Sequence, residues 1–223
     1  MKDAFRKNSV TMMLVIVTTA VFLVTQVLYF GQSTSSQAIF NVGGMYGEYV
    51  KFMPTQLWRL ISPIFVHIGW EHYFFNILAL YFVGQMAEQI WGARQFLTLY
   101  LLSGVMGNLF TLTFTPRVIA AGASTSLFGV FTAIALTGRF GRNPYLKQIG
   151  RSYQALIVLN LVFNLFTPDV SIAGHLGGLV GGALCAVFLR PAYDSNIFTK
   201  SQRQLGLAGF VGLSLILLAI TYI

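Results

Sequence analysis

"TMMLVIVTTAVFLVTQVLYF", residues 11–30, runs for 20 positions without a charged side chain. A helix rises about 1.5 Å per residue, so the run reaches about 30 Å, the thickness of a bilayer's hydrocarbon core. Outside it the chain shows no soluble domain, repeat or low-complexity tract. Instead, similar apolar runs recur at about 72–91, 95–114, 121–138, 152–168, 173–190 and 205–223. The composition agrees: 56% hydrophobic and 9% charged, where soluble domains carry about 25% charged residues. Hydrocarbon offers no partner for stray backbone groups, so each run must be helical. The sequence therefore predicts an all-α fold, a polytopic membrane helical bundle with seven transmembrane helices.

Lysine and arginine set the orientation. With a cytoplasmic N-terminus (residues 1–10), that side receives Lys2, Arg6, Lys7, Arg94, Arg139, Arg142, Lys147, Arg151, Arg190, Lys200 and Arg203. The outer side, where the C-terminus then lies, receives Lys51, Arg59 and Arg117. Topology and anionic membrane lipid account for the net charge of +8, and no nucleic-acid partner is required. The first apolar run lacks a small-x-small cleavage site and reads as an uncleaved span, not a signal peptide. Cys185 is the single cysteine. An intrachain disulfide and a thiol metal cluster are thereby excluded, and no cofactor or metal is expected.

Residues 31–71 form the one long connection. Its mixture of polar residues with Phe, Met, Tyr and Trp places it partly in the outer interface, where aromatic rings are favoured. Small residues mark close helix packing. The sixth run carries Gly174, Gly178 and Gly182 at four-residue spacing, and the fourth carries Gly122, Ser126, Gly129 and Ala133. Gly177 and Gly181 lie beside the first set, so a methyl at Gly181 is expected to be mild.

Polar residues inside these runs need a reason, because they are costly at membrane depth. Counting back from the first cytoplasmic charge measures height. Ser124 precedes Arg139 by 15 residues and His175 precedes Arg190 by 15, so both stand about 22 Å above the inner boundary. His72 and Asn76 precede Glu88 by 16 and 12, about 24 and 18 Å up, and share one helix face. Asn108, Asn160 and Asn164 read as interhelical glue.

Four polar residues at one level suggest chemistry. A serine hydroxyl becomes nucleophilic when a base removes its proton, and His175 can be that base. His72, Asn76 and the Ser124 backbone N–H are the donors available for an oxyanion. Phe128, four residues after Ser124, can hold the His175 ring by stacking. No carboxylate shares this depth, since Asp169 reads as a loop residue and Glu71 as a helix start. The expectation is a catalytic dyad.

These residues resemble the rhomboid intramembrane serine proteases. The carriers are Trp58-Arg59, His67, His72-x-x-x-Asn76, Glu88, Gly122-Ala123-Ser124 and His175-x-x-Gly178-x-x-x-Gly182. The resemblance implies a six-helix core over residues 11–190, with loop 31–71 membrane-associated. Residues 191–223 would then be a cytoplasmic linker and an extra C-terminal span. It further implies an intramembrane serine endopeptidase in which Ser124 and His175 form the dyad and His72 and Asn76 support the oxyanion. Substrates would be single-span membrane proteins with an easily unwound helix, and a bacterial plasma membrane is the expected location. Thr125 stands where many members have glycine, and Phe128 where tyrosine is common. A catalytically silent rhomboid-like protein that binds or escorts membrane proteins is the alternative. A transporter is disfavoured by the shallow ionisable groups.

Overall fold

The computed structural model describes residues 8–164, 171–192 and 194–223, excluding the side chain of Asn164. Expectations resting on Lys2, Arg6, Lys7, Asp169 or the Asn164 side chain lie outside these residues. Among these residues seven long helices follow one another: α1 (Ser9–Leu28), α2 (Gly69–Trp91), α3 (Ala93–Phe114), α4 (Ser124–Phe140), α5 (Pro144–Asn164), α6 (Ile172–Phe188) and α7 (Lys200–Tyr222). By length and composition alone, α1, α3 and α7 can cross a membrane, while α6 is apolar but shorter, at 17 residues.

Helix ends depart from the apolar runs for a consistent reason. Hydropathy starts a span where charges stop, but a helix starts at its cap. Thus α5 begins at Pro144, not near 152, because Asn143 Oδ1 accepts from the Tyr145 amide at 2.9 Å. Lys147 and Arg151, expected before that span, are inside the helix. Likewise α7 begins at Lys200, where Thr199 and Gln202 form a capping box. In the opposite sense α4 begins at Ser124, not 121, because Gly122 takes φ +134°, outside helical space.

α6 packs between α3 and α4. On one side a Cβ at Gly178 would strike the Thr125 carbonyl, and one at Gly182 the backbone of Gly129. Gly177 and Gly181 are also closely packed, on the other side. A Cβ there would stand 2.7 Å from the Met106 carbonyl and 2.7 Å from Met106 Cβ respectively. The expectation that a methyl at Gly181 is mild is therefore corrected: α6 has two glycine faces, and the second meets α3. At the other end of the bundle, Glu88 of α2 caps α1. Its carboxylate accepts from the Val10 and Thr11 amides at 3.0 and 2.8 Å and from the Thr11 hydroxyl at 2.7 Å.

The long loop is ordered. It contains a short helix Ser36–Asn41, strand β1 (Met45–Tyr46), a short helix Gly47–Phe52 and two 3-10 segments, Pro54–Leu60 and Ser62–Phe65. Arg59 is buried at its centre. Its Nη1 donates to the Phe40 and Gly44 carbonyls at 2.7 and 2.8 Å, and its guanidinium lies 4.1 Å from the Phe40 ring centroid. Phe52 and Trp58 remain exposed. Strand β2 (Ile119–Ala120), just before the α4 turn, pairs antiparallel with β1 through Met45↔Ala120 and Tyr46↔Ile119. This two-residue ribbon, unforeseen from the sequence, links the loop to the segment that delivers Ser124.

Candidate active site

The turn before α4 is held at each residue. Gly122 donates its amide to the Pro63 carbonyl at 2.9 Å, and Ala123 donates to His67 Nε2 at 3.2 Å. A Cβ at Gly122 would lie 2.8 Å from the His72 ring, so glycine here answers both conformation and space. Ser124 is thereby the first residue of a helix whose leading amides have no carbonyl one turn behind them.

Ser171 caps α6, accepting from the Gly174 amide at 3.1 Å, and its hydroxyl stands 3.0 Å from Thr111 Oγ1 of α3. One turn later His175 reaches α4. Its Nε2 lies 2.7 Å from Ser124 Oγ, a hydrogen bond between residues 51 apart in sequence. Phe128 stacks on the imidazole with centroids 4.4 Å apart and planes 27° apart.

His72 and Asn76 share one face of α2. The Ile68 amide donates to His72 Nδ1 at 3.2 Å, so in the neutral ring the proton sits on Nε2, the nitrogen facing Gly122. Asn76 is buried and spends one amide hydrogen on the His72 carbonyl at 2.8 Å. A cavity of about 500 Å³ is lined by Ser124, His175, His72, Asn76 and Phe128, together with Glu71, Asn108, Asn160 and the apolar Phe75, Leu127 and Phe131. All five residues singled out in the sequence thus border one space. Asn108, read there as interhelical glue, instead donates to the Leu60 carbonyl of the long loop at 2.9 Å. Asn160 bonds within its own helix, to the Leu156 carbonyl at 2.8 Å.

Thr125 shows how the fold accepts a side chain beside the serine. Its Cβ and methyl lie over Gly107 of α3 and Gly174 of α6, within 2.7 and 3.2 Å of where their Cβ atoms would be. The bulk is taken up by two missing side chains. His67 is the positioning group that depth counting overlooked, because it belongs to the loop and not to a span. Burial is the main cause that pushes its pKa down to about 3; the neighbouring His72 adds to this, and the Phe65 carbonyl opposes it weakly. The signal available was its place in the rhomboid-like pattern, five residues before His72.

Comparison with known proteins points one way. The Rhomboid domain family model matches residues 54–192. The chain is similar to Rhomboid protease GluP of Bacillus subtilis (strain 168), 33% identical over 177 residues, covering 77% of this chain and 34% of that protein. It is also similar to Rhomboid-like protease 3 of Toxoplasma gondii, 26% identical over 164 residues, covering 72% of this chain and 62% of the relative. Inactive RHOMBOID-like protein 8 of Arabidopsis thaliana is 28% identical over 130 residues, 56% of this chain and 36% of that protein. The chain thus spans only about a third of GluP's length.

Proposed function

The chain belongs to the rhomboid family of integral membrane proteins, and from that membership we propose that it is an intramembrane serine endopeptidase. Ser124 is its nucleophile and His175 its base. The observation that carries this reading is the 2.7 Å contact between Ser124 Oγ and His175 Nε2 at the wall of a cavity.

His175 Nε2 takes the hydroxyl proton as Oγ attacks the scissile carbonyl carbon. The carbonyl oxygen becomes an anion stabilised by the Ser124 amide, His72 Nε2–H and the Asn76 carboxamide. His175 then passes its proton to the departing amine, leaving an acyl-enzyme on Ser124. A water molecule, deprotonated by the same imidazole, then attacks the acyl carbon; the ester bond to Ser124 breaks, the imidazolium returns its proton to Oγ, and the acid product leaves. Phe128 keeps the ring oriented through each of these proton transfers.

Substrates in this reading are single-span membrane proteins that present an unwound segment to the cavity from the surrounding lipid. The N-terminus faces the cytoplasm of a bacterial plasma membrane, and the cavity and C-terminus face outward. Labelling of the purified chain with a serine-directed fluorophosphonate tests the reading. The expected result is modification of the wild type and none of Ser124→Ala. A wild type that neither labels nor cleaves a single-span substrate would instead be a silent protein that binds membrane partners.

A further inference from the structure

At the end of α4 remote from Ser124 lies a second recess, about 350 Å³, lined by Gly138, Arg139, Lys147, Arg151 and Gln154. Gly138 and Gly150 bring α4 and α5 almost into backbone contact there, since a Cβ at Gly138 would stand 2.8 Å from Gly150 Cα. Three cationic side chains share this lining with no carboxylate among them. Lys147 and Arg151 are spaced four residues apart on one helix, where like charges repel. The positive N-terminal end of α5 adds to their potential, while the last carbonyls of α4 offset only part of Arg139. Among the described residues the ion pair formed is Arg117 with Glu48, elsewhere in the molecule. The recess therefore holds unrelieved positive charge that an anion would neutralise.

The face that carries these charges does not stop at the recess. Lys147, Arg151 and Gln154 continue at helical spacing into Val158 and Val162, both exposed. Phe140 and Tyr145, also exposed, flank the charged end. A stripe that is cationic for two turns and then apolar matches an amphiphile, with its phosphate in the recess and its chain along the helix. A soluble phosphate would use only the first half. Basic pockets between membrane helices are places where anionic headgroups dock.

We propose that this recess is a binding site for an anionic phospholipid, with Arg139, Lys147 and Arg151 around the headgroup phosphate and an acyl chain along Val158 and Val162. Native mass spectrometry of the full chain in neutral detergent, titrated with phosphatidylglycerol or phosphatidylcholine, tests it without reference to any activity. Phosphatidylglycerol is expected to bind in preference to phosphatidylcholine and to raise the melting temperature. Replacing all three cations by glutamine is expected to weaken binding on the order of 100-fold, at about a fivefold loss per charge. The single variant Lys147→Gln, with little risk to folding, should lose about fivefold. The control pair Arg142→Gln and Lys200→Gln, exposed cations outside the recess, should bind as wild type. Three results would each overturn the proposal: equal binding by Lys147→Gln and wild type, equal loss in the control pair, or displacement of the lipid by inorganic phosphate.

Discussion

The Ala123 amide donates to His67 Nε2 at 3.2 Å, so the residue before the serine hangs from a ring in the long loop. An imidazolium has no lone pair to accept that bond, and burial keeps His67 neutral down to about pH 3. The unfolded chain takes up the proton near pH 6.5, so acidification favours unfolding. Stability from this group is complete above about pH 6.5 and is lost as pH falls toward about 3. By about pH 5 the loss reaches about 2 kcal/mol. The melting temperature of the wild type should fall between about pH 7 and 5, and that of His67→Gln should fall less. Parallel curves would remove His67 from the account.

Ser124→Ala and His175→Ala should each abolish cleavage of a single-span substrate while leaving the melting temperature near wild type. Because the two side chains act as one unit, the double variant should be no worse than either single one. Assay of all three against one substrate checks this. Substantial turnover by either single variant would sink the dyad.

Asn76→Ala removes a donor from the oxyanion region without touching the dyad. Its kcat should drop by roughly 10- to 1,000-fold with a smaller change in KM, as fits an interaction strongest in the transition state. His72→Ala should behave similarly. An effect confined to KM in both would reassign them to substrate docking.

Phe128→Ala tests orientation. The hydroxyl and imidazole remain, but the ring that stacks on His175 at 4.4 Å is gone. Activity should fall, and Phe128→Tyr should restore it because an aromatic face is what the contact uses. Failure of tyrosine to rescue would mean that the cavity wall, and not the stack, is what matters.

The glycines of α6 give a graded series. Gly178→Ala places a methyl against the Thr125 carbonyl, next to the serine, and should lower both activity and melting temperature; Gly178→Leu should be worse. Gly181→Ala meets Met106, whose outer side-chain atoms can move in part, so it should be destabilising but less so than Gly178→Ala. Gly212→Ala in α7 meets nothing within 4 Å and should raise stability by up to about 1 kcal/mol through helix propensity. Thermal melts of the four variants check the order.

Residue counting along the apolar runs brought Ser124, His175, His72 and Asn76 to one height because a helix has a fixed rise. Depth in the bundle is then linear in sequence. His67 escaped that method because a loop has no fixed rise. The β1–β2 ribbon escaped because two-residue strands leave no alternating pattern. Helix starts at Pro144 and Lys200 were misplaced because the caps, Asn143 and Thr199, lie on the charged side of the apolar boundary. The second glycine face of α6 was in plain view at Gly177 and Gly181, but which neighbour it met depended on where α3 stood.

Gly107 of α3 touches Thr125 and Gly174, so it marks the level of the dyad. From there α3 continues seven residues to Phe114, about 10 Å, whereas α4 starts at Ser124 itself. The bundle is therefore a cup whose floor is the blunt end of one helix and whose wall is the overhang of another. How far the nucleophile sits below the rim is a length, set by how many residues α4 lacks. Extending α4 by one helical turn ahead of Ser124 would raise the floor about 5.4 Å above the serine, fill about half the cup and give the Ser124 amide a carbonyl partner. The depth of the shelter and the freedom of the serine amide are thus set together, by the one residue at which α4 begins.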